Sequence, residues 1–120
     1  MSLYRDRLSL EGRIALVTGG AAGIGLACAE ALAEMGAQVI VADRDEAALA
    51  GSAFETVAMD VTNSRRVSEV AGEIAVRHGG IDILVNNAGI ARSDTPAEEV
   101  ADEHWLDVLD VNLNGNFWCC

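Results

Sequence analysis

The 120-residue chain contains no lysine, and its only tyrosine is Tyr4, near the amino terminus. A free tyrosine, with a pKa of ~10, is poorly matched to acid–base work at neutral pH unless a charged neighbour lowers it. A tyrosine–lysine pair is therefore excluded from these residues. Eight arginines offset 19 acidic groups, leaving a formal charge of −11. A surface of that sign repels nucleic-acid phosphates and anionic lipid, so neither is expected as a partner. Proline occurs once, at Pro96, which with a hydrophobic fraction of 51% excludes a disordered chain and indicates a compact α/β protein. No apolar run approaches the ~18 residues of a membrane helix. The first residues, Met1 to Arg7, carry charge but no apolar signal core. A cytoplasmic protein is expected. Cysteine is scarce: Cys28, Cys119 and Cys120 have neither metal-site spacing nor a disulfide framework. Cys28 reads as a small buried thiol on a helix face with Ile24, Ala31 and Met35, and Cys119-Cys120 as successive helix positions.

What is present is an alternation of short apolar runs with helical patterns. The runs at 14–17, 38–42, 56–59 and 81–85 read as strands. Between them lie helices at about 24–35, 45–50 and 64–78, and a last helix is expected from about residue 98 to 120. Gly36 and Gly79-Gly80 stop the first and third helices, and Asn63 or Ser64 can cap the third. His78 and His104 read as isolated surface or helix-end residues. Continuous apolar strands joined through helices form a parallel sheet covered on both faces. Right-handed crossovers then give a doubly wound α/β fold with strand order 3-2-1-4. Two βαβαβ halves complete such a fold, so residues 1–120 are expected to be one incomplete dinucleotide-binding domain.

The most informative stretch is Thr18-Gly-Gly-Ala-Ala-Gly-Ile-Gly25, directly behind the first strand. Gly19, Gly23 and Gly25 let the backbone turn sharply and approach a ligand, and the helix behind them offers unpaired N–H groups to a pyrophosphate. Asp43 ends the second strand, 18 residues after Gly25. A carboxylate there accepts hydrogen bonds from a ribose 2′-hydroxyl and repels a 2′-phosphate, which favours NAD over NADP. No basic residue lies in the glycine turn. Arg44 adjoins Asp43 and could instead meet a phosphate, and Asp43 could simply cap the next helix. Asp60 ends the third strand as an adenine-pocket residue or, with Thr62, as a helix cap. Asn86-Asn87 follows the fourth strand and is by itself a turn former.

Together these residues resemble the ordinary, non-extended branch of the short-chain dehydrogenase/reductases. Thr18-Gly19-…-Gly23-Ile24-Gly25, Asp43, Asp60-Val61, Asn86-Asn87-Ala88-Gly89 and Asn112 occur in that family's order from about Gly12 to Cys120. The resemblance implies a pyrophosphate at the Thr18–Gly25 turn near the Ile24 backbone, a ribose at Asp43, and adenine at Asp60 and Val61. It implies that Asn86, Ala88 and Gly89 line the cofactor, with Asn86 also bracing the sheet. Asn112 matches the asparagine that helps hold a water in the proton relay; by itself it could be a satisfied helix-packing amide. The Ala91–Thr95 loop would wall a small alcohol or carbonyl substrate.

In the family a serine and a Tyr-x-x-x-Lys pair follow on later elements, and both are absent here. The chain is expected to be the amino-terminal half of an NAD-dependent oxidoreductase and inactive alone. A homodimer or homotetramer is expected through the 98–120 helix, whose Leu106, Leu109, Leu113 and Phe117 form a stripe beside Trp105 and Val108. A non-catalytic nucleotide-binding or interaction module is the alternative expected if 120 residues is the natural length. Extended-branch epimerases and dehydratases are disfavoured, since their glycines are spaced Gly-x-x-Gly-x-x-Gly.

Overall fold

A computed structural model describes residues 3–91 and 94–120; Arg92 and Ser93, in the loop expected to wall the substrate, lie outside it. A short helix α1 (Leu3–Arg7) precedes β1 (Ile14–Thr18), α2 (Gly23–Glu34), β2 (Gln38–Asp43) and α3 (Glu46–Leu49). Then come β3 (Glu55–Ala58), α4 (Ser64–His78) and β4 (Ile83–Val85). After a 3-10 turn at Ala97–Glu99, α5 (Asp102–Leu109), a π-helical segment (Asp110–Gly115) and α6 (Asn116–Cys119) form one rod.

The strands are all parallel and ordered β3-β2-β1-β4, as the apolar runs require. Side chains alternate between the two faces. Leu16, Ile40 and Ala42 pack with Val67, Val70 and Ile74 of α4 and with Val111 of the π segment. On the other face Ala15, Val17, Val39 and Val41 pack with Ala29 of α2 and Leu49 of α3. Both faces are thus covered, and β1 is buried along its whole length.

Local chemistry sets the boundaries. Asn63 caps α4 by accepting the Arg66 N–H at 3.0 Å, and Gly79 closes the same helix at φ +86°. β4 begins at Ile83 instead of Ile81 because Asp82 is engaged by the start of β1. Its N–H donates to the Ile14 carbonyl at 2.9 Å, and its carboxylate accepts the Ile14 N–H at 2.8 Å. β3 runs from Glu55 to Ala58, one residue earlier than expected. Glu55 is tied to α4 by Arg77 and by His78, whose Nε2 lies 2.8 Å from its carboxylate. His78 is therefore paired, not isolated, whereas His104 is exposed as expected. Cys28 is only partly buried. The last helix starts at Asp102, not near residue 98, because Val100 and Ala101 are extended, with ψ of 123° and 145°.

Candidate functional site

The carboxyl ends of β1 and β4 are clasped by two polar side chains. Thr18 is fully buried, and its Oγ1 accepts N–H groups from Asn87 at 3.1 Å and Ala88 at 3.0 Å. The same hydroxyl donates to the Val85 carbonyl at 3.3 Å. Asn87 Nδ2 donates to the carbonyls of Thr18 and Gly19, at 3.1 and 3.0 Å. The sheet is thus braced by Asn87, which corrects the expectation for Asn86. Strand alternation explains the exchange. Ile83 and Val85 face α2 while Leu84 faces α4, so position 87 falls on the side of the glycine turn and position 86 on the other. Asn86 Nδ2 instead meets the Asn116 carbonyl at 3.5 Å and Cys120 Sγ at 3.4 Å.

The three glycines of the turn serve different ends. A Cβ on Gly25 would lie 2.4 Å from the Gly19 carbonyl oxygen and 2.5 Å from Asn87 Nδ2. One on Gly19, at φ +62°, would lie 2.9 Å from the same Nδ2. These two let the chain pack on itself. Gly23 takes φ +58°, and a Cβ there would meet nothing within 4 Å. It opens α2 after an extended Ala22 that supplies no side-chain cap, whereas Asp45 and Asn63 cap α3 and α4. The N–H groups of the first turn of α2 thus face an open glycine surface at the positive end of the helix dipole. That arrangement fits a pyrophosphate.

In front of this turn lies a cleft of about 390 Å³. Gly19, Ala22, Gly23 and Ile24 form one wall, Asp43 and Arg44 the next, and Met59, Asp60 and Val61 a third. Asn87, Ala88, Gly89 and Ile90 close it from β4, with Val111 beneath. Thr18 and Gly25 stand behind this surface and hold its shape, and Asn86 lies on the far side of the strand. Asp43 accepts the Ala21 N–H at 3.3 Å and the Asp45 N–H at 3.0 Å, which ties the glycine turn to the end of β2. The cap of α3 is Asp45, which accepts the Ala48 N–H at 3.1 Å, so Asp43 is not a helix cap. Asp60 accepts the N–H and hydroxyl of Thr62 at 2.9 and 2.8 Å, while Asn63 caps α4.

Asn112 grips the segment behind β4 with both ends of its amide. Its Oδ1 accepts the Ile90 N–H and its Nδ2 donates to the Ile90 carbonyl, each at 2.8 Å. Its backbone carbonyl, within the π segment, accepts Nδ2 of Asn116 at 2.8 Å. Asn116 Oδ1 is buried and has no partner among the described residues. Gly115 is pressed against β3's end, where a Cβ would fall 2.6 Å from Val61 Cγ2. Sequence reasoning missed Asn87, Ile90 and Asn116. The i, i+4 spacing of Asn112 and Asn116 was the available signal for the last.

A parallel sheet wound both ways from β1, with a glycine turn and an acidic strand end at its switch point, defines a doubly wound Rossmann-type fold. The chain belongs to the short chain dehydrogenase family, whose model matches residues 13–120. It is 48% identical to galactitol 2-dehydrogenase of Rhizobium johnstonii over 124 residues, covering 97% of this chain and 48% of that protein. It is 43% identical to the 3-oxoacyl-[acyl-carrier-protein] reductase FabG of Vibrio cholerae, covering 92% of this chain and 47% of the other. The 3-ketoacyl-(acyl-carrier-protein) reductase of Brucella melitensis, crystallised with NADH, superposes with a TM-score of 0.85 at 36% identity, covering 92% of this chain and 48% of that one. The chain spans about half the length of the curated relatives it matches. Among the described residues, no helix is long and apolar enough to cross a membrane.

Proposed function

We propose that these residues form the cofactor-binding half of an NAD-dependent oxidoreductase acting on a small alcohol or carbonyl compound. The observation that carries the NAD preference is Asp43, a carboxylate at the cleft edge already hydrogen-bonded to the turn through Ala21. Such a group accepts ribose hydroxyls and repels a 2′-phosphate. The uncapped start of α2 supports pyrophosphate binding at Gly19, Gly23 and Ile24. The wall formed by Asp60 and Val61 supports an adenine there. Ala88 and Gly89 face the cofactor; Thr18, Gly25 and Asn86 act from behind, holding the cradle and the rod against it.

The nicotinamide, when bound, supplies the hydride chemistry. The chain's own part is to bind and orient it. Asn112 has spent its side chain on Ile90, so a proton-relay water would be held through the second lone pair of its carbonyl, which already accepts Asn116 Nδ2. The exposed Trp105, Leu106, Leu113 and Phe117 support self-association through the terminal rod as a dimer or tetramer. A cytoplasmic site of action goes with the same proposal.

Fluorescence titration with NADH and NADPH tests the cofactor assignment. Asp43→Ala should weaken NADH binding by about tenfold to a hundredfold, the worth of a charge-assisted hydrogen bond. It should leave NADPH nearly unchanged or improved. A preference unaltered by the substitution would remove Asp43 from the ribose site, and a parallel loss of both cofactors would show only that the turn had moved.

A further inference from the structure

The first turn of α4 carries Arg65 and Arg66 and no acidic residue, although the positive end of a helix dipole disfavours cations. The Arg66 guanidinium is committed elsewhere. Its Nε donates to the Ala58 carbonyl at 3.1 Å and its Nη1 to Glu73 at 3.0 Å, with Glu69 at 3.6 Å. The side chain is only 32% exposed. Ala58 ends β3, the outer strand on the side of the sheet away from β4. Successive residues of a strand direct their backbone polar groups to opposite edges, and an outer strand leaves one row of them unpaired. The Met59 N–H is spent on the Asp43 carbonyl at 3.0 Å, so the Ala58 carbonyl points outward, beyond the reach of β2. Arg66 supplies its donor.

The backbone of Arg66 returns to the same stretch. Its N–H donates to Asn63 Oδ1 at 3.0 Å, and the Asn63 N–H donates to the Asp60 carbonyl at 3.1 Å. One arginine therefore closes both ends of the segment 58–63, and Met59, Asp60 and Val61 between those ends form a wall of the cleft. On the reading of that cleft as a cofactor site, we propose that Arg66 is a positioning residue for its adenine wall. The guanidinium, steadied by Glu73, holds the outward carbonyl of Ala58 and so sets where Asp60 and Val61 meet the dinucleotide. A planar guanidinium serves both acceptors in fixed directions, which an ammonium on a flexible stem does not.

A second tie between the same two elements supplies the control. Arg77 of α4 pairs with Glu55 at the opposite end of β3, outside the cleft lining. Arg66→Met should weaken NADH binding by the 120-residue chain about tenfold, the lower range for a lost charge-assisted hydrogen bond. It should also speed hydrogen exchange at the Met59 and Thr62 amides, whose acceptors are the Asp43 carbonyl and Asp60 Oδ1. Arg77→Met removes the same charge and a tie between the same elements, yet should leave NADH affinity and both amides as in the parent. Arg66→Lys keeps the charge without the fork and should lose about threefold; it decides the matter where Arg66→Met does not fold. No NADH binding by the folded parent would remove the cofactor reading and this one with it. A parent that binds, with the folded Arg66 variants within about twofold of it or with Arg77→Met equally impaired, would overturn the role of Arg66 alone.

Discussion

Gly23 and Gly25 are two residues apart and are glycine for different physical reasons, which makes them separable by substitution. Gly25→Ala drives a methyl into the Gly19 carbonyl and the Asn87 amide, within a clasp that has no room to yield. Overpacking of that kind costs about 1–3 kcal/mol. Gly23→Ala meets no atom of the chain and suffers only the left-handed backbone, about 1–2 kcal/mol. Urea denaturation should therefore rank Gly25→Ala as the less stable variant. NADH titration at a denaturant-free temperature where both are folded should show a loss for Gly23→Ala as well, because its methyl points into the open cradle. Equal stability with intact NADH binding in Gly23→Ala would contradict these separate roles.

At the scale of elements, the π segment decides how the last rod sits on the sheet. It turns Val111 into the core and Gly115 onto Val61 while keeping both Asn112 and Asn116 engaged. Gly115→Ala should push the rod off the end of β3 and destabilise the fold by about 1–3 kcal/mol, measured by thermal or urea unfolding. The Asn112–Ile90 pair should loosen with it, seen as faster hydrogen exchange at the Ile90 amide. The strand order, the glycine turn and the placement of Asp43 and Asp60 were legible because apolar runs and turn residues act locally. The π segment was not, because an i, i+5 helix depends on what it packs against, here Val61 and Ile90. Asn86 and Asn87 show the same limit. Two adjacent amides look alike in sequence, and only the pleat of β4 decides which one reaches Thr18. The His78–Glu55 pair likewise joins residues 23 apart, which no local pattern announces.

Among the described residues, the β4 edge of the sheet and the terminal rod stay partly uncovered. β4 is only partly buried, and Trp105, Leu106, Leu113 and Phe117 are 61%, 61%, 61% and 70% exposed. Apolar surface of that kind favours association, while a net charge of −11 opposes it at low salt. Sedimentation should show concentration-dependent self-association that strengthens with salt. Leu106→Glu with Phe117→Glu should abolish it, and an unchanged distribution would assign the contact elsewhere. With no lysine and its one tyrosine, Tyr4, on α1 and not among the residues lining the cleft, the 120-residue chain should bind cofactor yet oxidise no alcohol. Turnover by the purified chain, followed as NADH formation, would show that acid–base chemistry does not need that pair.

The central claim is that the cleft between the glycine turn and Asp43 is where a nicotinamide dinucleotide binds. Nuclear magnetic resonance of the isotope-labelled chain, titrated with NADH, tests it residue by residue. The amides of Gly19, Gly23, Ile24, Asp43, Asp60 and Gly89 should shift together and saturably, while those of α4 stay in place. Shifts confined to α4 or the terminal rod, or none at saturating NADH in the folded chain, would contradict it.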